Sequence, residues 1–236
     1  MKILINKIKP LGLWIFLIPL ISVNLCLILI TNYHNLFLGD LYTLGKIFPY
    51  LDGQASISRV VRVYPNNFIF KPAMFITAFL LIKYWLLNRD LIYLIDKQNK
   101  FTKKFVFFGI ASAIALVIHS IFLGIKFEYD LYKLFRRVVM LLFIIFEIIA
   151  QAYLVRTYYL FRNQLKDRIN LNILKIKIIL ISILIIVAFF SIPIISLPGN
   201  DFFGLNLKFF KHALEWNYFM GVIFFYFLTF LMWKKN

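Results

Sequence analysis

Four titratable side chains stand inside or beside long apolar runs, where they are candidates for acid, base or ligand chemistry: His119, Glu147, His212 and Glu215. Ionisable groups are costly in an apolar environment, so they generally face a protein interior or a functional site. On a helix, Glu147 shares a face with Gln151 and Tyr158 and forms a polar stripe with them. The stripe fits a hydrogen-bonded contact between helices as well as it fits a functional acid.

The role of His119 is open in the same way. Ser120 follows it, but adjacent residues point about 100° apart on a helix, so the two are not by themselves a nucleophile and its base. His119 therefore fits helix packing as well as a catalytic base.

His212 and Glu215 share one helical face at spacing i, i+3. One His and one Glu are too few ligands for a metal ion, and the single cysteine, Cys26, cannot form a Cys-based site. We therefore expect neither a metal nor another cofactor. Beside Trp216 and Tyr218, the pair also fits an aromatic belt at a membrane interface.

The elements that carry these residues must lie in lipid. The chain has 236 residues, of which 62% are hydrophobic and 16% are charged. A single core of this size cannot hide so much apolar surface from water, which excludes a soluble enzyme, a disordered protein and a disulfide scaffold. The 27 basic residues against 10 acidic ones would suggest nucleic acid in a soluble protein. Here they indicate membrane lipids as partners and no nucleic acid.

Six apolar stretches are long enough to cross a membrane as helices. The almost unbroken aliphatic and aromatic run 178–190 does not alternate as a barrel strand would. The sequence therefore predicts one all-α polytopic membrane domain over residues 1–236, a six-transmembrane-helix bundle whose first span is not cleaved. The predicted spans are approximately 11–31, 67–87, 105–125, 137–160, 177–197 and 213–233.

Lysine and arginine determine the expected orientation. Both termini are predicted to be cytoplasmic, although the basic pair Arg136–Arg137 falls at an outer end, close to Glu128 and Asp130. The sequence thus predicts a multi-pass integral membrane protein, located in a plasma or inner membrane or in an endomembrane. Basic residues are denser in 1–10, 88–104, 161–177 and 234–236 than in 32–66, 126–136 and 198–212.

Four basic residues inside the predicted spans have simple explanations. Lys71, Lys83 and Arg156 lie within snorkelling reach of the lipid head groups. Lys177 is at an end of its span.

The long outer loop, residues 54–71, concentrates hydroxyl and cationic side chains. Arginine presents a planar fork of donors that fits phosphate, and hydroxyl groups fit phosphate or glycan oxygens. An ordinary solvated loop carries such residues as well. The candidate residues for binding a lipid head group are Ser56, Ser58, Arg59, Arg62 and Lys71.

This loop resembles the first outer loop of the Frag/DRAM/Sfk-type membrane family. That family groups the second post-GPI-attachment-to-proteins factor, the damage-regulated autophagy modulators and the CWH-like N-terminal domain of a yeast cell-wall-biogenesis protein. The resemblance implies six spans and lipid work, either remodelling of GPI-anchor lipids or an effect on membrane lipid organisation and autophagy. Ala55 departs from the proline common in the family. The matching residues are Ser56-Ile57-Ser58, Pro65, Phe68-Ile69-Phe70-Lys71 and, more weakly, Glu215-Trp216.

Three functional hypotheses follow. The first is a lipid-handling protein with an outer-leaflet pocket formed by the 54–71 loop and spans three, four and six. The second is an intramembrane acyltransferase or hydrolase that uses a histidine or carboxylate as base and Ser56, Ser58 or Ser120 as nucleophile, without a known catalytic motif. The third is a small transporter, which the absence of matching Gly/Pro interruptions in two halves disfavours. Enzymatic activity is therefore left open.

Overall fold

The computed structural model describes residues 1–37, 47–125, 129–196, 201–202 and 205–234. Within these ranges the chain forms seven α-helices, one short 3-10 helix at His34–Leu36 and a two-residue antiparallel strand pair, β1 (Asp201–Phe202) with β2 (Leu205–Asn206). The α-helices are α1 (Lys2–Asn32), α2 (Ile57–Val61), α3 (Asn66–Tyr93), α4 (Lys100–Phe122), α5 (Asp130–Leu160), α6 (Leu171–Ser196) and α7 (Leu207–Met232).

Six of these helices, all except α2, are long and apolar enough to cross a membrane. The predicted all-α, six-helix polytopic fold is therefore confirmed. The helices extend beyond several predicted spans: α1 begins at Lys2 and α6 at Leu171. The reason is that a helix continues through the polar residues at a membrane surface, whereas hydropathy marks only its lipid-embedded part.

The six long helices form a closed ring in the order α1, α3, α4, α5, α6 and α7. Each packs on the next, and α7 packs on α1. Neighbours in the ring are antiparallel, so the bundle has two ends. We call them the α2 end, which carries α2, and the terminal end, which carries the N-terminus and the last turn of α7. At the terminal end, Lys9 Nζ donates to Trp233 O at 2.7 Å and Asn170 N donates to Met232 O at 2.8 Å.

The ring is filled with aromatic side chains. Tyr84 and Trp85 are fully buried, and the Tyr84 ring meets the Tyr226 ring edge-on at 5.0 Å. Gly109 leaves room for Trp85, because a Cβ atom there would lie 2.4 Å from the indole ring. Since lipid is as apolar as these side chains, close packing and polar contacts between helices, rather than the hydrophobic effect, must hold the ring together.

Candidate functional site

Residues 47–65, which we call the docked segment, lie against the first half of α7. Gly53 has a φ of 61°, and a Cβ atom there would fall 1.8 Å from Phe209 O, so the close approach to α7 requires glycine. His212 Nδ1 lies 2.9 Å from Gly53 O, and since a carbonyl only accepts, this nitrogen carries the hydrogen. His212 thus holds the turn that precedes α2.

Glu215 and Trp216 hold the next part of the docked segment. Trp216 Nε1 donates to Ala55 O at 2.8 Å. The Glu215 carboxylate interacts with the backbone N–H groups of Ile57 and Ser58, in the first turn of α2. A carboxylate in this position satisfies amides that have no partner within the helix. His212 and Glu215 therefore face the same segment and have a structural role here.

These contacts join two of the sequence stretches on which the expected resemblance rests. Ser56-Ile57-Ser58 lies directly under Glu215-Trp216, although more than 150 residues separate them in the chain. Ser56 is the N-cap of α2, with its side chain accepting a hydrogen bond from Arg59 N at 3.2 Å. One of the five residues predicted to bind a head group is therefore occupied in capping its own helix.

The inner face of α2 is buried and fixed to α1 and α3. Val60 and Val61 are buried. Asn66 Nδ2 donates to both Cys26 O and Val60 O, each at 2.8 Å. Because α2 is held on this face and at its N-terminus, its remaining face is presented on a rigid support.

That remaining face carries three of the predicted residues: Ser58, Arg59 and Arg62. Arg62 is exposed and Arg59 is half-buried near His212. Neither arginine has an ion-pair partner within the described ranges. The fifth predicted residue, Lys71, donates from Nζ to Ile121 O at 3.3 Å, where its charge is favourable at the C-terminal end of α4.

Glu147 lies elsewhere, in the middle of the bundle, where it is 1% exposed. Its carboxylate accepts hydrogen bonds from Ser112 Oγ of α4 at 2.5 Å, from Gln151 Nε2 of its own helix at 3.1 Å and from the Tyr226 hydroxyl of α7. Gln151 Nε2 also donates to Val222 O at 3.2 Å. Glu147 therefore connects three helices, and we call these side chains the central cluster: Ser112, Glu147, Gln151 and Tyr226.

Tyr158 continues the same stripe but has a different partner. Its hydroxyl donates to Asn88 Oδ1 of α3, about two turns closer to the terminal end than Gln151. In the stripe predicted on α5, Glu147 and Gln151 thus contact α4 and α7, whereas Tyr158 contacts α3.

The expectation that Lys177 simply lies at an end of its span is wrong. α6 begins at Leu171, which places Lys177 about 9 Å along the helix, and the residue is fully buried. Its Nζ donates to Thr229 Oγ1 at 2.7 Å and lies 3.8 Å from the centroid of the Phe225 ring. The Tyr84 hydroxyl lies 3.2 Å from the same Thr229 oxygen.

Sequence reasoning missed four polar residues of this interior: Tyr84, Asn88, Tyr226 and Thr229. Tyr84, Tyr226 and Thr229 look like ordinary members of apolar or aromatic runs, and Asn88 looks like part of the charged end of its span, before Arg89 and Asp90. One signal was available, since Tyr226 and Thr229 are three residues apart and therefore share a face of the last span.

His119 lies apart from both groups, between α4 and α5 near the α2 end. Its Nδ1 is buried and has no hydrogen-bond partner. The neighbouring Ser120 hydroxyl donates to Leu116 O at 2.8 Å, which leaves it unsuited to act with His119. The structure thus brings His212 and Glu215 together but places Glu147 and His119 in separate surroundings.

The described ranges hold no group of three or more His, Cys, Asp or Glu residues that could bind a metal ion. Comparison of the chain with known protein families, with curated proteins and with solved structures finds no match. The described residues nevertheless form a bundle of six helices long and apolar enough to cross a membrane. Its polar side chains gather at the docked segment, in the central cluster, around Lys177 and around His119.

Proposed function

We propose that this protein handles or organises membrane lipids by binding anionic head groups at the outward face of α2. The observation that carries the proposal is a short helix held rigidly from behind while Arg59 and Arg62 stand one turn apart without ion-pair partners among the described residues. Arginine binds phosphate through two parallel hydrogen bonds, and a rigid support lowers the entropy lost on binding. Ser58 adds a hydroxyl on the same side of the helix.

The resemblance to the Frag/DRAM/Sfk-type family supports the same proposal. Two of the stretches that carry it, Ser56-Ile57-Ser58 and the weaker match Glu215-Trp216, form one contact at the α2 end. We propose that this chain shares with that family a role in lipid remodelling or lipid organisation. The contact explains why both patches would be needed for one head-group site.

The proposal includes an orientation, with the α2 end on the non-cytoplasmic side and both termini in the cytoplasm. The excess of lysine and arginine at the terminal end supports it. Single-cysteine variants test it on a Cys26→Ser background, because Cys26 is the protein's one cysteine. A membrane-impermeant maleimide is expected to label Ser58→Cys in intact cells and Lys100→Cys only after permeabilisation. Labelling of both positions in intact cells would rule the orientation out.

Lipid binding itself is tested with the Arg59→Gln/Arg62→Gln double variant. Each cation near a membrane surface contributes about 1 kcal/mol toward an anionic lipid, so the double variant should bind phosphatidylglycerol roughly thirtyfold more weakly. Native mass spectrometry of protein released from nanodiscs, with phosphatidylcholine as the neutral reference lipid, measures the retained lipid.

The matched control is Lys2→Gln/Lys103→Gln, which removes two exposed charges at the opposite end of the bundle. Its affinity for phosphatidylglycerol at α2 should stay within about twofold of that of the native protein. Equal losses in both double variants would mean that net charge, rather than α2, attracts the lipid. Turnover of a labelled phospholipid that depends on Glu147 would instead support the enzymatic alternative.

A further inference from the structure

The geometry points to a second anionic phospholipid site between α4 and α5 near the α2 end, where a lipid phosphate is held by His119 and Arg136. The inference deepens the proposed function and rests on it in one respect, since both sites take lipid head groups. It names a phosphate diester as the ligand and places it on helices that the α2 site does not use.

The packing of α4 on α5 brings the two residues to one level. The helices are antiparallel, with the Tyr132 hydroxyl donating to Phe122 O at 2.8 Å near one end and Ser112 meeting Glu147 deeper in the bundle. One turn inward from the Tyr132 contact, this register sets Arg136 opposite His119. The charge of Arg136 accordingly acts on the imidazole of His119.

Both side chains keep a buried nitrogen that has no hydrogen-bond partner, His119 Nδ1 and Arg136 Nε. The Arg136 guanidinium lies 5.9 Å from the centroid of the Tyr132 ring and makes no ion pair within the described part of the chain. Burying polar groups without partners costs free energy that a bound acceptor recovers. Two unpartnered nitrogens beside one fixed positive charge therefore suit an anion.

A phosphate suits this position better than a carboxylate side chain would. It offers several acceptor oxygens, so it can meet an imidazole and a guanidinium simultaneously. Lys71, whose amine lies against Ile121 O at the end of α4, adds a further positive charge at this end of the bundle. The proposed contacts are therefore charge-assisted hydrogen bonds from His119 and Arg136.

The surroundings favour a lipid over free phosphate. The apolar membrane-spanning stretch of α5 begins at Leu134, so Arg136 lies at the level expected for head groups. Leu134 and Val138, on either side of it, are 55% and 43% exposed. Acyl chains can lie along these side chains while the phosphate reaches Arg136.

The test compares Arg136→Gln with Arg137→Gln. The two variants lose the same charge at adjacent positions, but Arg137 is exposed and has no contact with His119 in the described structure. Native mass spectrometry from nanodiscs that contain phosphatidylglycerol should show a loss of about tenfold in lipid affinity for Arg136→Gln and under twofold for Arg137→Gln. His119→Gln should also weaken binding, because the amide offers a donor at a different position from the ring nitrogen.

Thermal unfolding of each variant without added anionic lipid establishes that it is folded. If Arg136→Gln does not fold, Arg136→Lys replaces it, and the weaker binding expected of a single ammonium group is measured instead. Equal lipid retention by the Arg136 and Arg137 variants overturns the inference. Stabilisation of the native chain by inorganic phosphate as strong as that by phosphatidylglycerol overturns its assignment to a lipid.

The Arg59→Gln/Arg62→Gln double variant separates this inference from the proposed function. If both sites exist, the double variant loses one bound lipid and Arg136→Gln loses another. A loss in Arg136→Gln alone refutes the α2 site and leaves the α4–α5 site standing. A loss in the Arg59→Gln/Arg62→Gln variant alone refutes the α4–α5 site and leaves the α2 site standing.

Discussion

Thr229→Val is expected to destabilise the protein by about 3 kcal/mol, because it leaves the buried Lys177 amine without an acceptor. Thr229 Oγ1 is the one oxygen that accepts from Lys177 Nζ within the described structure, and the Tyr84 hydroxyl lies against the same atom. Valine keeps the volume and removes the oxygen. A buried donor that is left without an acceptor costs about 1–3 kcal/mol, and the Tyr84 hydroxyl loses its contact with Thr229 as well. The free energy of unfolding in detergent micelles measures the effect.

Thr157→Val is the matched control. Thr157 is also fully buried, but its hydroxyl donates only to Tyr153 O in its own helix, at 2.7 Å. Thr157→Val should lower the free energy of unfolding by less than about 1 kcal/mol. Lys177→Met should restore most of the stability lost in Thr229→Val, because it removes the amine that was stranded. If Lys177→Met adds a second loss instead, the Lys177–Thr229 contact does not explain the effect of Thr229→Val.

The helices themselves could be predicted because lipid imposes a simple rule on the sequence. About 20 apolar residues must appear wherever a helix crosses the membrane, and six such stretches are visible. The rule marks the embedded part and not the helix ends, which is why Lys177 was assigned to a surface. In the structure α6 begins at Leu171, six residues before Lys177, and the lysine side chain is buried inside the bundle.

Candidate residues could likewise be recognised from the sequence, whereas their partners could not. Glu147 was recognisable, because an acid in an apolar run is conspicuous, whereas its partners Ser112 and Tyr226 become partners only through the packing of three helices. Glu215 was identified from its spacing to His212, but its contact with Ile57 depends on how α7 meets the docked segment. Contacts between distant parts of a chain do not follow from periodicity in one sequence.

The polar interior of the bundle runs from the central cluster toward the terminal end, through Tyr84, Thr229 and Lys177. This arrangement differs from the single outer pocket that the sequence suggested, because Glu147 shares no contact with the docked segment among the described residues. We infer that Glu147 and Lys177 stabilise the ring of helices. The proposed head-group binding is then confined to the α2 end, where Arg59 and Arg62 have no ion-pair partner among the described residues.

Glu147→Leu should lower the free energy of unfolding by about 1–3 kcal/mol, mainly through its effect on Tyr226. Ser112 Oγ already has a second acceptor in Gly109 O, at 2.9 Å, and Gln151 Nε2 has one in Val222 O. The Tyr226 hydroxyl has Glu147 as its acceptor and is fully enclosed in the bundle. Without the carboxylate it becomes an unsatisfied donor buried inside the bundle.

This reasoning predicts a specific non-additivity. Tyr226→Phe in the Glu147→Leu background should increase stability, because it removes the stranded hydroxyl, whereas Tyr226→Phe in the native background should decrease it by about 1 kcal/mol. Unfolding of the four proteins in the same detergent gives the coupling free energy directly. Additive losses in the double variant would show that the Tyr226–Glu147 hydrogen bond is not what Glu147 contributes. The carboxyl group would then act through Ser112 on α4, and Ser112→Ala should reproduce the effect of Glu147→Leu.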